Sequence, residues 1–136
     1  MNTAEMLFWL LVGHAVADYP QQGDFLARAK NHAAPIPGVP WVHGLLPHAL
    51  IHGGAVALVT GSVLLGVLET GAHAVIDYGK CAGWYTRRWV ALPHGAGRLV
   101  VDAKDEAAAA RAYHVDQALH GACKLLWLTL LAGGIA

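Results

Sequence analysis

The 136-residue chain has nine basic and nine acidic residues, and it is 56% hydrophobic but only 13% charged. An ordinary soluble domain is about 25% charged, so half the usual supply of solvated side chains is missing, and no basic surplus argues for nucleic acid as a partner. The length suits one domain over residues 1–136, and two cysteines, Cys81 and Cys123, are too few and too dispersed for a disulfide scaffold or a zinc ribbon.

No Lys or Arg precedes the first apolar run, and Ala15 to Ala17 is followed at once by Asp18 and Pro20. Met6 to Val16 is therefore expected to belong to the working protein and not to a cleaved leader. A first helix is predicted over about residues 3–19, capped by Thr3 and stopped by Pro20. Gln21 to Pro40 reads as a loop that becomes too proline-rich for a helix. Between Lys30 and Glu69 there is no Asp, Glu, Lys or Arg, and the stretch is rich in Leu, Val, Ala and Gly, as a membrane segment would be. It divides into a second helix that starts at about Trp41 or at Pro47 and runs to Thr60 (about 41–60 at its longest), Pro47 being best placed in a first turn, and a third over about 63–85. Gly61 ends the one and Ser62 caps the other. Thr86 to Lys104 is polar and reads as a loop, after which Asp102 or Asp105 caps a last helix over about 105–132. No internal repeat or alternating strand pattern is evident.

The expected fold is all-α: a four-helix transmembrane bundle, up-down-up-down, with two longer cytoplasmic loops. Seven of the nine basic residues fall in the first and third connections, namely Arg28, Lys30, Arg87, Arg88, Arg98, Lys104 and Arg111. The positive-inside rule then puts both long loops in the cytoplasm and both termini outside, with Trp41, Trp84, Tyr85 and Trp89 as an interfacial belt.

Each predicted helix carries one pair of potential ligands four residues apart: His14 and Asp18, His48 and His52, His73 and Asp77, Asp116 and His120. That spacing places both side chains on one helix face, one turn apart. Composition alone would supply roughly one such pair, and a single pair would ordinarily be a hydrogen bond between helices. Four pairs, one per helix and all in the cytoplasmic half of an up-down bundle, point to a shared site. The set has five imidazoles and three carboxylates, which suits one or two divalent metals, zinc first and manganese or iron next. An intramembrane charge costs on the order of 3 kcal/mol on insertion scales, and a metal would offset that for the aspartates.

This set points to a metal-dependent hydrolase acting on a phosphoester or lipid head group. Asp18, Asp77 and Asp116 are the candidate catalytic carboxylates, one of them bridging metals or serving as general base. Gln22, Lys80 and Gln117 continue the same faces and would hold a substrate anion or orient ligands. Lys124, one turn past His120, is a further candidate to hold an anion or pair with an aspartate but is expected rather to snorkel to the interface, and Glu69 to extend the His73 row. His32, His43, His94 and His114 lack a partner at this spacing and read as loop or interface residues. The rival reading is a non-enzymatic accessory protein, its cluster a structural metal clasp or polar core that binds a membrane protein or a second copy of the chain. An ion conduit ranks last, because Leu7 to Val12, Ala55 to Val59, Val63 to Val67 and Leu125 to Leu131 are almost wholly apolar.

The segments His14-Ala-Val-Ala-Asp18-Tyr-Pro-Gln-Gln22, His48-Ala-Leu-Ile-His52, His73-Ala-Val-Ile-Asp77-Tyr-Gly-Lys80 and Asp116-Gln-Ala-Leu-His120 resemble domain of unknown function 3307, a family of small membrane proteins of bacteria and phages. The resemblance covers most of the chain. It implies a multi-pass helical protein of the bacterial inner membrane and no established activity. Ala34 to Pro40 and Thr86 to Lys104 look particular to this chain. The HxxxD pairs His14/Asp18 and His73/Asp77 are also similar to those of all-helical zinc phospholipases C, related nucleases and membrane-bound metal-dependent hydrolases, a pattern from which Asp116/His120 departs in order.

Overall fold

The computed structural model describes residues 1–85, 87–91, 97–101 and 106–135. Five helices form the body: α1 (Thr3–Asp18), α2 (Gly23–Ala29), α3 (Val42–Thr60), α4 (Val63–Cys81) and α5 (Glu106–Ala132). Asn2, not Thr3, caps α1. Its Oδ1 accepts from the Glu5 N–H at 2.9 Å and Glu5 Oε2 accepts from the Asn2 N–H at 2.9 Å, a reciprocal box that satisfies two end donors. Gly61, left-handed at φ 72°, closes α3, and the Ser62 hydroxyl accepts from Leu65 N–H at 3.2 Å to start α4, as the sequence predicts.

Three elements differ from expectation. The first connection is not all loop, because α2 forms where Leu26 and Ala29 can pack on α3. Pro47 lies inside α3, beyond its first turn, where its missing N–H leaves the helix one bond short. The third connection carries a short antiparallel hairpin, β1 (Arg87–Ala91) with β2 (Gly97–Val101), in register Trp89 to Leu99. Trp89, Val90, Val100 and Val101 are strand-favouring residues, and Pro93 and Gly95 separate the two runs. Asp102 and Asp105, the expected caps of the last helix, lie outside the described residues, as do His94 and Lys104.

Around the bundle α1 neighbours α3 and α5, α3 neighbours α4, and α4 neighbours α5. The C-terminal ends of α1 and α4 meet the N-terminal halves of α3 and α5, so the four long helices alternate in direction. Two glycines bring α3 and α4 close. A Cβ on Gly66 would stand 2.7 Å from the Gly53 carbonyl oxygen, which no side chain tolerates. At the other end Gly44 receives α2, where a Cβ would run into the backbone of Ala29 and Lys30.

Leu10, Val56, Leu65, Trp127 and Leu128 form an apolar plug beyond the polar layer. The remaining pattern is inverted relative to a soluble bundle. Among the described residues, His14, His48, His52, Glu69, His73, Asp77, Asp116, His120 and Lys124 are buried, while Phe8, Trp9, Leu50, Leu58, Val63, Val67 and Leu125 are exposed, Leu58 by 87%. One helix among the described residues, α3, is long and apolar enough to cross a membrane by length and composition. Four full spans are therefore not supported on that measure: α1 has 16 residues, and α4 carries Glu69, Asp77 and Lys80.

Candidate metal centre

All eight predicted ligands converge. On α3 the buried stripe Leu45, His48, Ala49, His52, Gly53 and Val56 recurs at helical spacing, so both imidazoles face inward. On α4 and α5 the rows run antiparallel: Glu69 meets Lys124 and Trp127, His73 stacks on His120, and Lys80 meets Asp116.

Asp18 is the hub of one side. Its Oδ1 lies 3.2 Å from His52 Nε2 and 3.4 Å from His48 Nε2, and its Oδ2 lies 3.2 Å from His14 Nε2. Asp77 is the hub of the other, with Oδ2 at 3.4 Å from His48 Nε2 and 3.6 Å from His73 Nε2, and Oδ1 at 3.8 Å from His120 Nε2. Asp116 Oδ1 lies 3.7 Å from His120 Nε2. The His52 and His73 rings stack with centroids 3.6 Å apart, and His73 and His120 stack at 4.2 Å.

Donor atoms within 4.8 Å of one another form three groups that could hold a metal ion: His14, Glu69, His73 and His120; Asp18, His48, His52 and His73; and Asp77, Asp116 and His120. Tetrahedral bonds of about 2.0 Å put donor atoms roughly 3.3 Å apart, close to the spacings around Asp18. The hydrogen-bond ledger points the same way. His14 Nε2, both ring nitrogens of His48 and His73, His120 Nδ1 and Asp116 Oδ1 are buried and form no geometrically sound hydrogen bond, although several lie within ion-pair reach. Leaving such a group unmet costs about 1–3 kcal/mol, and the lone pairs of these imidazoles and carboxylates are of the kind that could hold a metal ion.

Toward the end of the bundle near α2 the layer opens into a polar cavity of about 120 Å³, lined by Asp18, Asp77 and Asp116 with Lys30, Lys80, Gln22, Gln117, Tyr19 and Tyr113. Lys30 Nζ donates to Asp77 Oδ2 and to Gln22 Oε1, both at 2.6 Å. Lys80 Nζ donates to Asp116 Oδ2 at 2.8 Å, and Gln117 Nε2 donates to the same oxygen at 3.2 Å. Tyr19 and Tyr113 share a hydrogen bond of 3.0 Å at the rim, which raises the Tyr19 phenol above its ordinary pKa.

Lys30 and Trp127 escape the sequence reading, and Lys124 takes a different place from the one expected. Lys30 sits in the first connection, 47 residues from the Asp77 it pairs with, and only the docking of α2 on Gly44 brings it in. Lys124 does not snorkel; it is 1% exposed and pairs with Glu69, whose second oxygen accepts from Trp127 Nε1 at 2.5 Å. The available signal was helical spacing: Lys124 and Trp127 continue the Asp116–His120 face at the next two turns. Of the unpaired histidines, His43 and His114 are exposed, while His32 stacks on Tyr78 with centroids 4.1 Å apart.

A family described as a protein of unknown function (DUF3307) matches residues 6–132, nearly the whole chain. No curated protein and no solved structure matches.

Proposed function

We propose, for a chain that belongs to the DUF3307 family and so inherits no activity from it, a membrane-embedded metal protein that hydrolyses a phosphoester or lipid head group at the cytoplasmic face. The observation that carries this is the cluster of unsatisfied buried imidazole nitrogens gathered on Asp18, Asp77 and Asp116, three carboxylates that also line a polar cavity. A purely structural metal site would be closed by its protein ligands, whereas a catalytic one keeps a position open.

His14, His48, His52, His73 and His120 with Asp18, Asp77 and Asp116 hold one or two divalent ions. A nitrogen-rich set with carboxylates and no thiolate suits zinc, with manganese or iron as alternatives. Bound there, a divalent ion supplies Lewis acidity and lowers the pKa of water. Among the carboxylates, Asp18 has the most exposed side chain, at 18%, which makes it the candidate general base should a water react there. Lys80, Gln22 and Gln117 orient the anion and the carboxylates around it. The inverted surface, with Leu58, Val63 and Leu125 outward, supports immersion in lipid. The basic connections favour both termini outside, in a bacterial inner membrane.

One observation favours a second reading. Lys30 and Lys80 already neutralise Asp77 and Asp116, as they would in a polar core that only joins helices or seats a protein partner or a second copy. Activity separates the two. Detergent-purified protein supplied with Zn²⁺ or Mn²⁺ should hydrolyse p-nitrophenyl phosphate or its bis ester, and both His73→Ala and Asp116→Ala should abolish turnover while helicity by circular dichroism is kept. Turnover that survives both substitutions sinks the hydrolase.

A further inference from the structure

Two cavities meet at the lysines. The 120 Å³ cavity over the centre and a neighbouring one of about 420 Å³ share Gln22, Lys30, Asp77 and Lys80, and the larger continues past Ala27, Asn31 and Cys81. The lysine ammonium groups therefore stand at the boundary between the cavity over the aspartates and a wider space of mixed polar and apolar lining.

Their hydrogen-bonding capacity is not used up. An ammonium has three N–H bonds. Among the described residues Lys30 directs two of them to Gln22 and Asp77, and Lys80 directs one to Asp116. One proton of the Tyr19–Tyr113 pair is also left to donate, because only one hydroxyl can donate in their shared bond. Cationic and neutral donors thus converge on a space of about 120 Å³, room for a small tetrahedral oxyanion.

Charge sets the condition for binding. Asp18, Asp77 and Asp116 against Lys30 and Lys80 leave the cavity with one net negative charge. One divalent ion turns that to one positive charge, and two ions turn it to three. An anion is repelled before metal loads and attracted afterwards.

We propose that Lys30 and Lys80 form the phosphate-binding subsite of the centre, holding a phosphomonoester dianion at the junction of the two cavities with its leaving group in the larger one. This rests on the metal reading above and narrows its substrate class to phosphomonoesters. Lys30 acts as a specificity residue that α2 delivers. The metal and the phosphate are reciprocally linked, so phosphate must tighten metal retention by the factor by which metal tightens phosphate.

The test uses full-length protein in detergent, with inorganic phosphate as the calorimetric probe and bound metal read separately by elemental mass spectrometry. Metal-loaded wild type should bind phosphate, and chelator-stripped protein should not. Lys30→Gln and Lys80→Gln should each weaken phosphate binding roughly tenfold to a hundredfold, as expected for loss of a charge-assisted hydrogen bond, with metal content kept or raised. Lys30→Arg should keep most of the affinity and guards against a folding defect. Equal phosphate affinity in wild type and both glutamine variants, all metal-loaded, overturns this subsite and leaves the metal centre standing. Wild type that takes up no metal overturns both. Glycerol phosphate and phosphatidic acid in mixed micelles separate the two sources of a monoester: tighter binding of either supports the class, and binding of neither overturns it.

Discussion

Glu69 on α4 and Lys124 on α5 meet as a buried ion pair one turn beyond the imidazole layer, each about 1% exposed. Removing one partner leaves the other charged and unpaired in an apolar surround. Lys124→Met is predicted to destabilise the fold by about 3–5 kcal/mol, whereas the double change Glu69→Gln/Lys124→Met should cost much less, since no uncompensated charge remains. Thermal or denaturant unfolding in detergent decides it. Equal losses in the single and double variants would show that the charges do not depend on each other.

The proposed metal site carries a stoichiometric expectation. Elemental mass spectrometry of wild type purified without chelator should find one to two equivalents of zinc, manganese or iron, and His73→Ala/Asp77→Ala should lose it. A wild type still empty after added metal would leave a polar helix-packing core in place of a metal site.

Asp18 touches three imidazoles from two helices, so Asp18→Asn should disturb metal affinity more than any change at the cavity rim. A drop of roughly tenfold to a hundredfold is expected, with the helical spectrum unchanged. Competition with a chromophoric chelator measures it, and an unaltered affinity would remove Asp18 from the ligand set.

Close approach of α3 and α4 depends on Gly53 and Gly66. Gly53→Ala would place a Cβ 2.5 Å from the Gly66 carbonyl oxygen and should destabilise the fold by about 1–3 kcal/mol. Gly54→Ala, with nothing within 4 Å of its Cβ, should be neutral or stabilising by about 0.5–1 kcal/mol. Parallel unfolding curves for the two variants are the check, and matching stabilities would mean the helices are free to move apart.

Orientation is testable by fusion. If both termini lie outside the cytoplasm, a C-terminal alkaline phosphatase should be active in cells and a C-terminal green fluorescent protein dark. The opposite pattern would invert the orientation and put the centre at the outer face.

The ligand pairs were legible in the sequence because helical geometry is local. His14 with Asp18, His48 with His52, His73 with Asp77 and Asp116 with His120 each share a face whatever the helix packs against. The same locality made the Gly61–Ser62 junction readable, since a left-handed cap and a hydroxyl cap act within a few residues. It also explains where reading the sequence went astray. Thr3 and Asn2 are both competent caps, and the Glu5 side chain decides between them. Lys124 looks like a snorkelling side chain until Glu69, 55 residues earlier, is known to face it.

What the sequence determined by itself, then, is four rows of polar residues, one on each long helix. Tertiary structure alone decided which oxygen faces which ring, that α2 folds over Gly44 to deliver Lys30 to Asp77, and that a cavity opens beside the aspartates. The physical reason is distance along the chain. Helical spacing is set by hydrogen bonds over four residues, whereas the contacts that complete the centre span tens of residues and exist only once the bundle has closed.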